Sequence, residues 1–269
     1  MNAIKRIFRI ISENIIVQNQ AGVTFDTNNT IMSFNIRVDK TSDNKNNWNY
    51  RRNAIIQMIE DTKPAIICMQ EVMPHMFKYL KKNLSKTYDF VSTDRNKNKP
   101  LDQSLHWFGG GLCIFYDKSR YSFVNYRVVD FPISKNSEST KKNFIQLHLI
   151  DRVDETVTTV INTHLDVKSK EIRTQSINKI LPNINRGTYL CGDFNCYQSS
   201  SEFVPLLKYN ISVNLLPEQR TFNHFDDTDE ILDFIITPNK INYYHVVTED
   251  YGVPYISDHY PIIINLAEH

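Results

Sequence analysis

The chain has 269 residues, 41% hydrophobic and 23% charged, which is enough to bury the core of one large domain. Its 31 basic and 30 acidic residues give a formal net charge of +1, so the molecule has no strong field to attract polyanions from a distance. Any binding of phosphate or nucleic acid must therefore be local. No apolar run reaches the roughly 18 residues needed to cross a bilayer, and we expect no integral membrane segment.

The first 28 residues are an N-terminal extension that mixes basic and apolar side chains. Its apolar stretch is broken by Arg9 and Ser12, and no small-residue cleavage site follows, so we do not predict a secretory signal. Four apolar residues would share one face of a helix, namely Ile4, Ile7, Phe8 and Ile11. This pattern fits a terminal helix packed on the domain, or a helix that makes weak contact with a membrane surface.

The rest of the chain alternates between strand-like and helix-like segments. Short β-branched or aromatic runs bounded by polar turns predict strands over 30–38, 65–72, 111–116, 144–150, 156–165, 188–193, 231–237 and 261–266. Apolar spacing predicts helices over 50–61, 74–84 and 169–184. Ser199 and Glu202 form a capping-box pattern that predicts a fourth, shorter helix. Because no repeat or linker divides this pattern, we predict one α/β domain over residues 29–269.

Two polar stretches, 94–111 and 134–143, interrupt the pattern and are predicted to be solvated loops. The first ends in Gly109, Gly110 and Gly111, three of only seven glycines in the chain. Consecutive glycines predict that the backbone turns sharply there or that another group approaches it closely.

The four cysteines indicate a reducing environment. Cys68, Cys113 and Cys191 lie inside apolar segments, where a free thiol behaves as a small hydrophobic group, and no C-x-x-C pair is present. We therefore expect reduced, buried thiols and a cytoplasmic protein, without a disulfide scaffold or a zinc site.

Polar side chains occur at or near the ends of six predicted strands. In "YLCGDFNCYQ" (189–198), Asp193 and Asn195 share one face because side chains alternate along an extended backbone. One such pair is commonly turn chemistry, but the other strands add Asn35, Glu71, Asn162, His164, Asp233, Ser257, Asp258 and His259. Mg²⁺ prefers carboxylate and other oxygen ligands, and Glu71 and Asp258 meet that need. Together the strand ends predict a hydrolytic metal site.

The blocks "SFNIR", "MQEV", "NTHLD", "GDFN", "LDFI" and "SDHYP" follow one another from about residue 30 to the C-terminus. In this order they resemble the endonuclease/exonuclease/phosphatase superfamily, which has the fold of DNase I. The resemblance implies a four-layer α/β sandwich, in which two mixed β-sheets pack face to face with helices outside. It also implies a site at one end of the sandwich.

The same resemblance implies a Mg²⁺ cofactor, for which Mn²⁺ can substitute. Glu71 resembles the principal metal ligand of the family, Asn35 a neighbouring ligand or orienting group, and Asp258 a second acid on the metal side. We place three further residues in contact with the substrate, namely Arg37, Arg51 and Asn162.

Five residues resemble the groups that carry out the reaction in the family. Asp193 resembles the residue that orients or deprotonates the attacking water, and Asn195 the group that holds the phosphate. His259 resembles an imidazole paired with a buried carboxylate, here Asp233. His164 resembles the histidine that hydrogen-bonds a phosphoryl oxygen or assists the leaving group.

Some motifs narrow the branch of the superfamily. "NIRVDK", "NNWNYRR", "FYDKSRY" and "RTFNHF" resemble small bacterial-type members. "EVMPHMFKYLKK" and "DFPISKNSESTKKN" resemble the 5′-tyrosyl-DNA phosphodiesterases, but Phe194 stands where that branch typically has Thr.

The predicted function is Mg²⁺-dependent hydrolysis of a phosphodiester, with nucleic acid as the favoured substrate class. The alternative is a phosphatase or phospholipase acting on small phosphorylated metabolites, inositol phosphates or sphingomyelin. The near-zero net charge and the N-terminal extension favour this alternative. A non-catalytic phosphate-binding module is the third interpretation, against which the retained acids and imidazole argue.

Overall fold

The computed structural model describes residues 29–93, 110–132, 142–212, 220–226, 228, 230–241 and 243–266. The strands are β1 (Thr30–Asn35), β2 (Ile66–Val72), β3 (Tyr88–Ser92), β4 (Gly111–Asp117), β5 (Tyr121–Asp130), β6 (Asn143–Asp151), β7 (Val157–His164), β8 (Thr188–Asp193), β9 (Asn210–Ile211), β10 (Asp233–Thr237), β11 (Tyr244–Val246) and β12 (Ile262–Asn265). The α-helices are α1 (Trp48–Thr62), α2 (Pro74–Leu84) and α3 (Lys170–Ile180).

The strands form two mixed six-stranded sheets. The first sheet has the order β11-β12-β1-β2-β4-β3 and the second the order β5-β6-β7-β8-β10-β9. In each sheet one central pair is parallel, β1 with β2 and β7 with β8, and the other pairs are antiparallel.

Apolar side chains fill three layers of the molecule. One cluster lies between the sheets and includes Ile66, Ile114, Leu147, Tyr189 and Ile235. A second cluster joins α1 and α2 to the outer face of the first sheet, and a third joins α3 to the second sheet. This arrangement confirms the predicted four-layer α/β sandwich.

Local sequence explains where the helices begin. The Asn47 side chain accepts a hydrogen bond from Asn49 N at the start of α1, and Ser169 Oγ accepts one from Ile172 N at the start of α3. Helix α2 begins with Pro74, whose missing N–H costs nothing at a helix start.

The helix predicted to begin at Ser199 is absent. Only a short 3₁₀ turn forms there, over Val204–Leu206. Glu202 does not cap a helix because its buried carboxylate accepts hydrogen bonds from Arg173 of α3, with Nη2 at 2.9 Å.

Other sequence predictions concern the N-terminal extension, the two polar loops, the cysteines and membrane-spanning segments. The extension 1–28 and most of both predicted loops lie outside the described residues. All four cysteines are free and buried, as expected. Within the described ranges, no helix combines the length and apolarity needed to cross a membrane.

Candidate functional site

Three polar residues form a row across one end of the second sheet. His164 ends β7 opposite Asp193, which ends β8, and Asp193 in turn lies opposite Asp233 at the start of β10. All three are buried, although each carries a polar or ionisable group. The parallel pair and its antiparallel neighbour bring these strand ends together at one edge, as the sequence predicts.

The first sheet contributes Asn35 and Glu71 to the same place. Asn35 Nδ2 donates to Asp193 Oδ2 at 3.0 Å and contacts Glu71 Oε1 at 3.4 Å. Its Oδ1 accepts from Arg37 N, so the Asn35 amide orients the two carboxylates. Glu71 Oε2 accepts a further hydrogen bond from Val38 N at 2.8 Å. The site is therefore assembled from both sheets.

His259 and Asp233 form a buried pair. Nδ1 of His259 lies 2.8 Å from Asp233 Oδ2, and Nε2 lies 3.7 Å from Asp193 Oδ2. Burial alone would lower the pKa of His259, but the carboxylates of Asp233 and Asp193 raise it to about 10. The imidazole is therefore positively charged at neutral pH.

Two residues of the "RTFNHF" segment support this pair. The Phe222 ring packs on the His259 ring, with centroids 4.7 Å apart. Thr221 Oγ1 accepts hydrogen bonds from the N–H groups of Leu232 and Asp233, which fixes the start of β10.

Asp193 and His164 have pKa values displaced by burial. Burial and the nearby Asp233 carboxylate raise the pKa of Asp193 to about 7, against the opposing charge of His259. Asp193 Oδ1 accepts from Asn195 N at 2.9 Å, and its Oδ2 lies 3.6 Å from His164 Nε2. Burial, with smaller effects of Lys142 and His259, holds the pKa of His164 well below its usual value. His164 is thus a neutral imidazole beside a carboxyl group that titrates near neutrality.

Lys142 is a site residue that the sequence does not reveal. It is partly exposed and directly precedes β6, where its carbonyl accepts from Phe131 N. Burial lowers the pKa of Lys142, whereas the carboxylates of Glu71, Asp193 and Asp166 raise it. The Lys142 side chain therefore interacts electrostatically with these three acids. Nothing in the sequence distinguishes it from the other lysines of the polar stretch 134–143.

Asn195, Arg37 and Asp258 lie around this cluster. Asn195 Nδ2 donates to Leu165 O, which joins the segments that follow β7 and β8. Arg37 forms ion pairs with Asp258 and Asp43, both at 3.0 Å. Ser257 Oγ donates to the carbonyl of Asn35 at 2.7 Å and lies 3.3 Å from Asp258 Oδ1. Arg37 is therefore held by two acids at the margin of the site.

Two residues predicted to contact the substrate are placed elsewhere. The Arg51 side chain is fully buried and donates to backbone carbonyls, including those of Ile36 and Ile256, and burial lowers its pKa to about 10. Asn162 is fully buried between the sheets, where Nδ2 donates to the carbonyls of Met69 and Cys113. Both predictions are wrong because these polar groups satisfy the protein's own backbone.

The donor set of the cluster fits a hard divalent cation. Glu71 and Asp258 supply carboxylate oxygens without a thiolate, which is the chemistry that Mg²⁺ prefers, while Asn35 directs its amide nitrogen toward Glu71 and its amide oxygen toward Arg37 N. Ligand atoms of Asp193, Asp233 and His259 also lie within 4.8 Å of one another. However, His259 is cationic and its Nδ1 already contacts Asp233, so this second trio suits proton and charge stabilisation better than metal ligation.

Comparison with solved structures shows the same fold. An endonuclease/exonuclease/phosphatase protein from Bacteroides vulgatus has a TM-score of 0.76 and 24% identity, with 90% of this chain and 99% of that chain covered. A mannosyl-6-phosphatase from Bacteroides thetaiotaomicron has a TM-score of 0.75 and 22% identity, with 89% and 99% covered. TDP2 from D. rerio, complexed with single-stranded DNA product, has a TM-score of 0.66 and 17% identity, with 87% and 97% covered.

Sequence comparison shows the family. The CCR4-Not complex 3′-5′-exoribonuclease subunit Ccr4 of Neurospora crassa is 26% identical over 112 residues, which are 38% of this chain and 14% of that protein. The chain thus matches only about one seventh of the length of this relative. Residues 32–259 match the family model described as "Endonuclease/Exonuclease/phosphatase family". The protein therefore belongs to the endonuclease/exonuclease/phosphatase family of phosphoester hydrolases.

Proposed function

We propose that this protein hydrolyses a phosphodiester in nucleic acid, with Mg²⁺ or Mn²⁺ as cofactor. The position of Asp193 is the observation that carries the proposal. Its Oδ2 lies 3.0 Å from Asn35 Nδ2, 3.6 Å from His164 Nε2 and 3.7 Å from His259 Nε2. The Asp193 carboxylate thus lies between the two imidazoles and Asn35, which also contacts the proposed metal ligand Glu71.

Asp193 is suited to take a proton from the attacking water. A general base works best when its pKa is near the working pH, and the pKa of Asp193 is about 7. The hydrogen bond from Asn195 N holds Oδ1, which leaves Oδ2 toward the two imidazoles. In this proposal Asn195 orients the base through its backbone.

The remaining groups stabilise the charge that develops on the phosphoryl oxygens. Protonated His259 presents its Nε2–H, while Asp233 fixes the ring through Nδ1. His164, neutral because it is buried, offers a hydrogen bond to a phosphoryl or leaving oxygen. Lys142 adds a positive charge at the same end of the sheet.

Glu71 and Asp258 would hold the cation, and Asn35 would orient the Glu71 carboxylate. A cation held there would supply Lewis-acid polarisation of a phosphoryl oxygen and offset its negative charge. Arg37 pairs with Asp258 and so limits the negative charge on this side of the site.

The choice of nucleic acid as substrate has support from two proteins of the comparison. The Ccr4 relative is an exoribonuclease subunit, and TDP2 is in complex with single-stranded DNA. The second candidate is a phosphatase for small phosphorylated metabolites. The net charge of +1 and the likeness to a mannosyl-6-phosphatase favour it.

A substrate panel separates these candidates. The purified chain is incubated with plasmid, single-stranded DNA, RNA, a 5′-tyrosyl oligonucleotide, mannose 6-phosphate, inositol phosphates and sphingomyelin, each with Mg²⁺ or with EDTA. We expect turnover of a nucleic-acid substrate in the Mg²⁺ arms only. Preference for a sugar or inositol phosphate would select the second candidate, and no turnover of any substrate would select the non-catalytic module.

We further propose that residues 29–269 contain the whole catalytic domain and act in the cytoplasm, where four free thiols stay reduced. Removing residues 1–28 should then leave soluble turnover unchanged. Loss of turnover in a truncated chain with parental circular dichroism would contradict this boundary.

A further inference from the structure

Glu71 has an unusual backbone conformation for a strand residue. Its φ angle is +63°, in the left-handed region that non-glycine residues avoid at a cost of about 1–2 kcal/mol. The pairing register between β2 and β4 shifts between Met69 and Val72, so a bulge covers Gln70 and Glu71. A bulge re-aims a side chain. Here it turns the carboxylate toward Asn35 and Val38.

Gly110 lies directly against this bulge. Its own φ is +68°, and a Cβ built at this position would be 2.5 Å from the Cα and the carbonyl oxygen of Glu71. Real Cβ atoms do not approach other atoms this closely, and the obstructing atoms belong to the backbone, so no side-chain rotation can make room. The run of glycines predicted that another group approaches the backbone closely, and at Gly110 this group is the backbone of Glu71.

We propose that Gly110 is a positioning residue for Glu71, and that its bare Cα holds the bulge in the conformation that presents the carboxylate to a divalent cation. This inference rests on the proposed function, in which Glu71 is the principal ligand. Any side chain at position 110 pushes on the Glu71 peptide, so a substitution there should weaken metal binding without removing a ligand.

Two other glycines are matched controls. Gly252 has φ +75°, and a Cβ at this position would meet no atom within 4 Å, so Gly252→Ala imposes the left-handed penalty alone. Gly187 has φ +83°, and its Cβ would be 2.9 Å from Val157 O, at the start of β7 and far from the site. Gly187→Ala therefore combines the penalty with a remote clash.

The test measures metal affinity directly. Mn²⁺ is titrated into the full chain and free Mn²⁺ is read by electron paramagnetic resonance, together with the unfolding free energy of each variant. We expect Glu71→Gln and Gly110→Ala to raise the Mn²⁺ Kd by about tenfold or more, the size typical of disturbed ligand support. Gly187→Ala and Gly252→Ala should keep the parental Kd while losing stability.

The failures are distinguishable. A parental Kd in Glu71→Gln would overturn the metal role of Glu71, and the role of Gly110 with it. A weakened Glu71→Gln beside a parental Gly110→Ala would overturn the role of Gly110 alone. Equal weakening in all three alanine variants would show a general effect of instability and would also overturn it.

If Gly110→Ala does not fold, a double variant decides the matter. Glycine at position 71 relieves the left-handed penalty in any background and also lets the bulge move away from a Cβ at position 110, so Glu71→Gly should restore more stability to Gly110→Ala than to Gly187→Ala. A larger gain in stability for Gly110→Ala than for Gly187→Ala supports direct coupling of positions 71 and 110. A double variant as unstable as Gly110→Ala would overturn the proposal.

Discussion

The Asp233–His259 pair permits the sharpest test of the proposed mechanism. Against the effect of burial, Asp233 and Asp193 raise the pKa of His259 to about 10, from 6.5 for an ordinary histidine, and so favour the charged ring. Asp233 is its closest acid, at 2.8 Å, and both side chains are buried. Asp233→Asn keeps the shape but removes the charge, so it should lower the pKa of His259 by about 1–3 units.

The expected loss in kcat is about 10²–10⁴ for Asp233→Asn and for His259→Ala. Because the two groups act as a unit, the double variant should lose little more than His259→Ala alone. The assay is kcat for bis(4-nitrophenyl) phosphate at saturating Mg²⁺ across the pH range, with the activity normalised to folded protein. At high pH, kcat of the unsubstituted protein should fall as His259 loses its proton. Asp233→Asn should move this fall to lower pH.

The same pair makes a prediction about stability. The folded pKa of His259 is raised, so its stabilisation is complete below pH 6.5 and is lost as the pH rises through about 10. Asp233→Asn should weaken this dependence. If Asp233 were only a strand-end cap, its loss would cost about 1 kcal/mol with normal kcat. That result, or kcat losses that multiply fully in the double variant, would refute the coupled pair.

Three further predictions concern other residues of the site. Glu71→Gln should lower kcat by about 100-fold or more with little change in unfolding free energy, and EDTA should abolish parental turnover; full activity in EDTA would contradict the metal mechanism. Lys142→Met should lower kcat/KM about tenfold or more because a charge near the phosphate is lost, and a parental value would place Lys142 outside the reaction. Arg51→Met should cost about 3 kcal/mol of stability by leaving buried carbonyls unpaired, and an increase in KM without destabilisation would restore it as a substrate contact.

The strands visible in the sequence are the inner strands of the two sheets. All eight predicted strands are present, and the four that carry no clear signal, β3, β5, β9 and β11, are the four edges. Inner strands such as β1 and β8 are buried at every position, which produces continuous apolar runs. Most positions of β5 are at least partly exposed, and β9 and β11 have only two and three residues. A half-exposed or very short strand has too little apolar sequence pattern for the strand to be predicted.

The candidate site shows a similar division. Side chains at strand ends could be expected to meet, because strand ends converge at the edge of a sheet, and the structure brings Asn35, Glu71, His164, Asp193 and His259 together. Side chains inside elements could not be placed in this way. Arg51 lies on the buried face of α1, and its charge did not indicate that its guanidinium donates hydrogen bonds to backbone carbonyls. Lys142 could not be recognised as a site residue from the sequence, because only tertiary packing brings it near the acids.

Asn162 explains how a motif residue can matter without touching substrate. It lies two residues before His164 on β7, so both side chains are on the same face of the strand. His164 reaches the site, whereas Asn162 crosses to the first sheet and binds the carbonyls of Met69 and Cys113, beside the bulge that carries Glu71. Gln70 completes the contact by donating to Asn162 Oδ1 at 2.8 Å. Because Glu71 and Asp193 belong to different sheets, their separation depends on such cross-sheet hydrogen bonds. The "NTH" segment therefore supplies one group to the site and one to the spacing of the two sheets that form it.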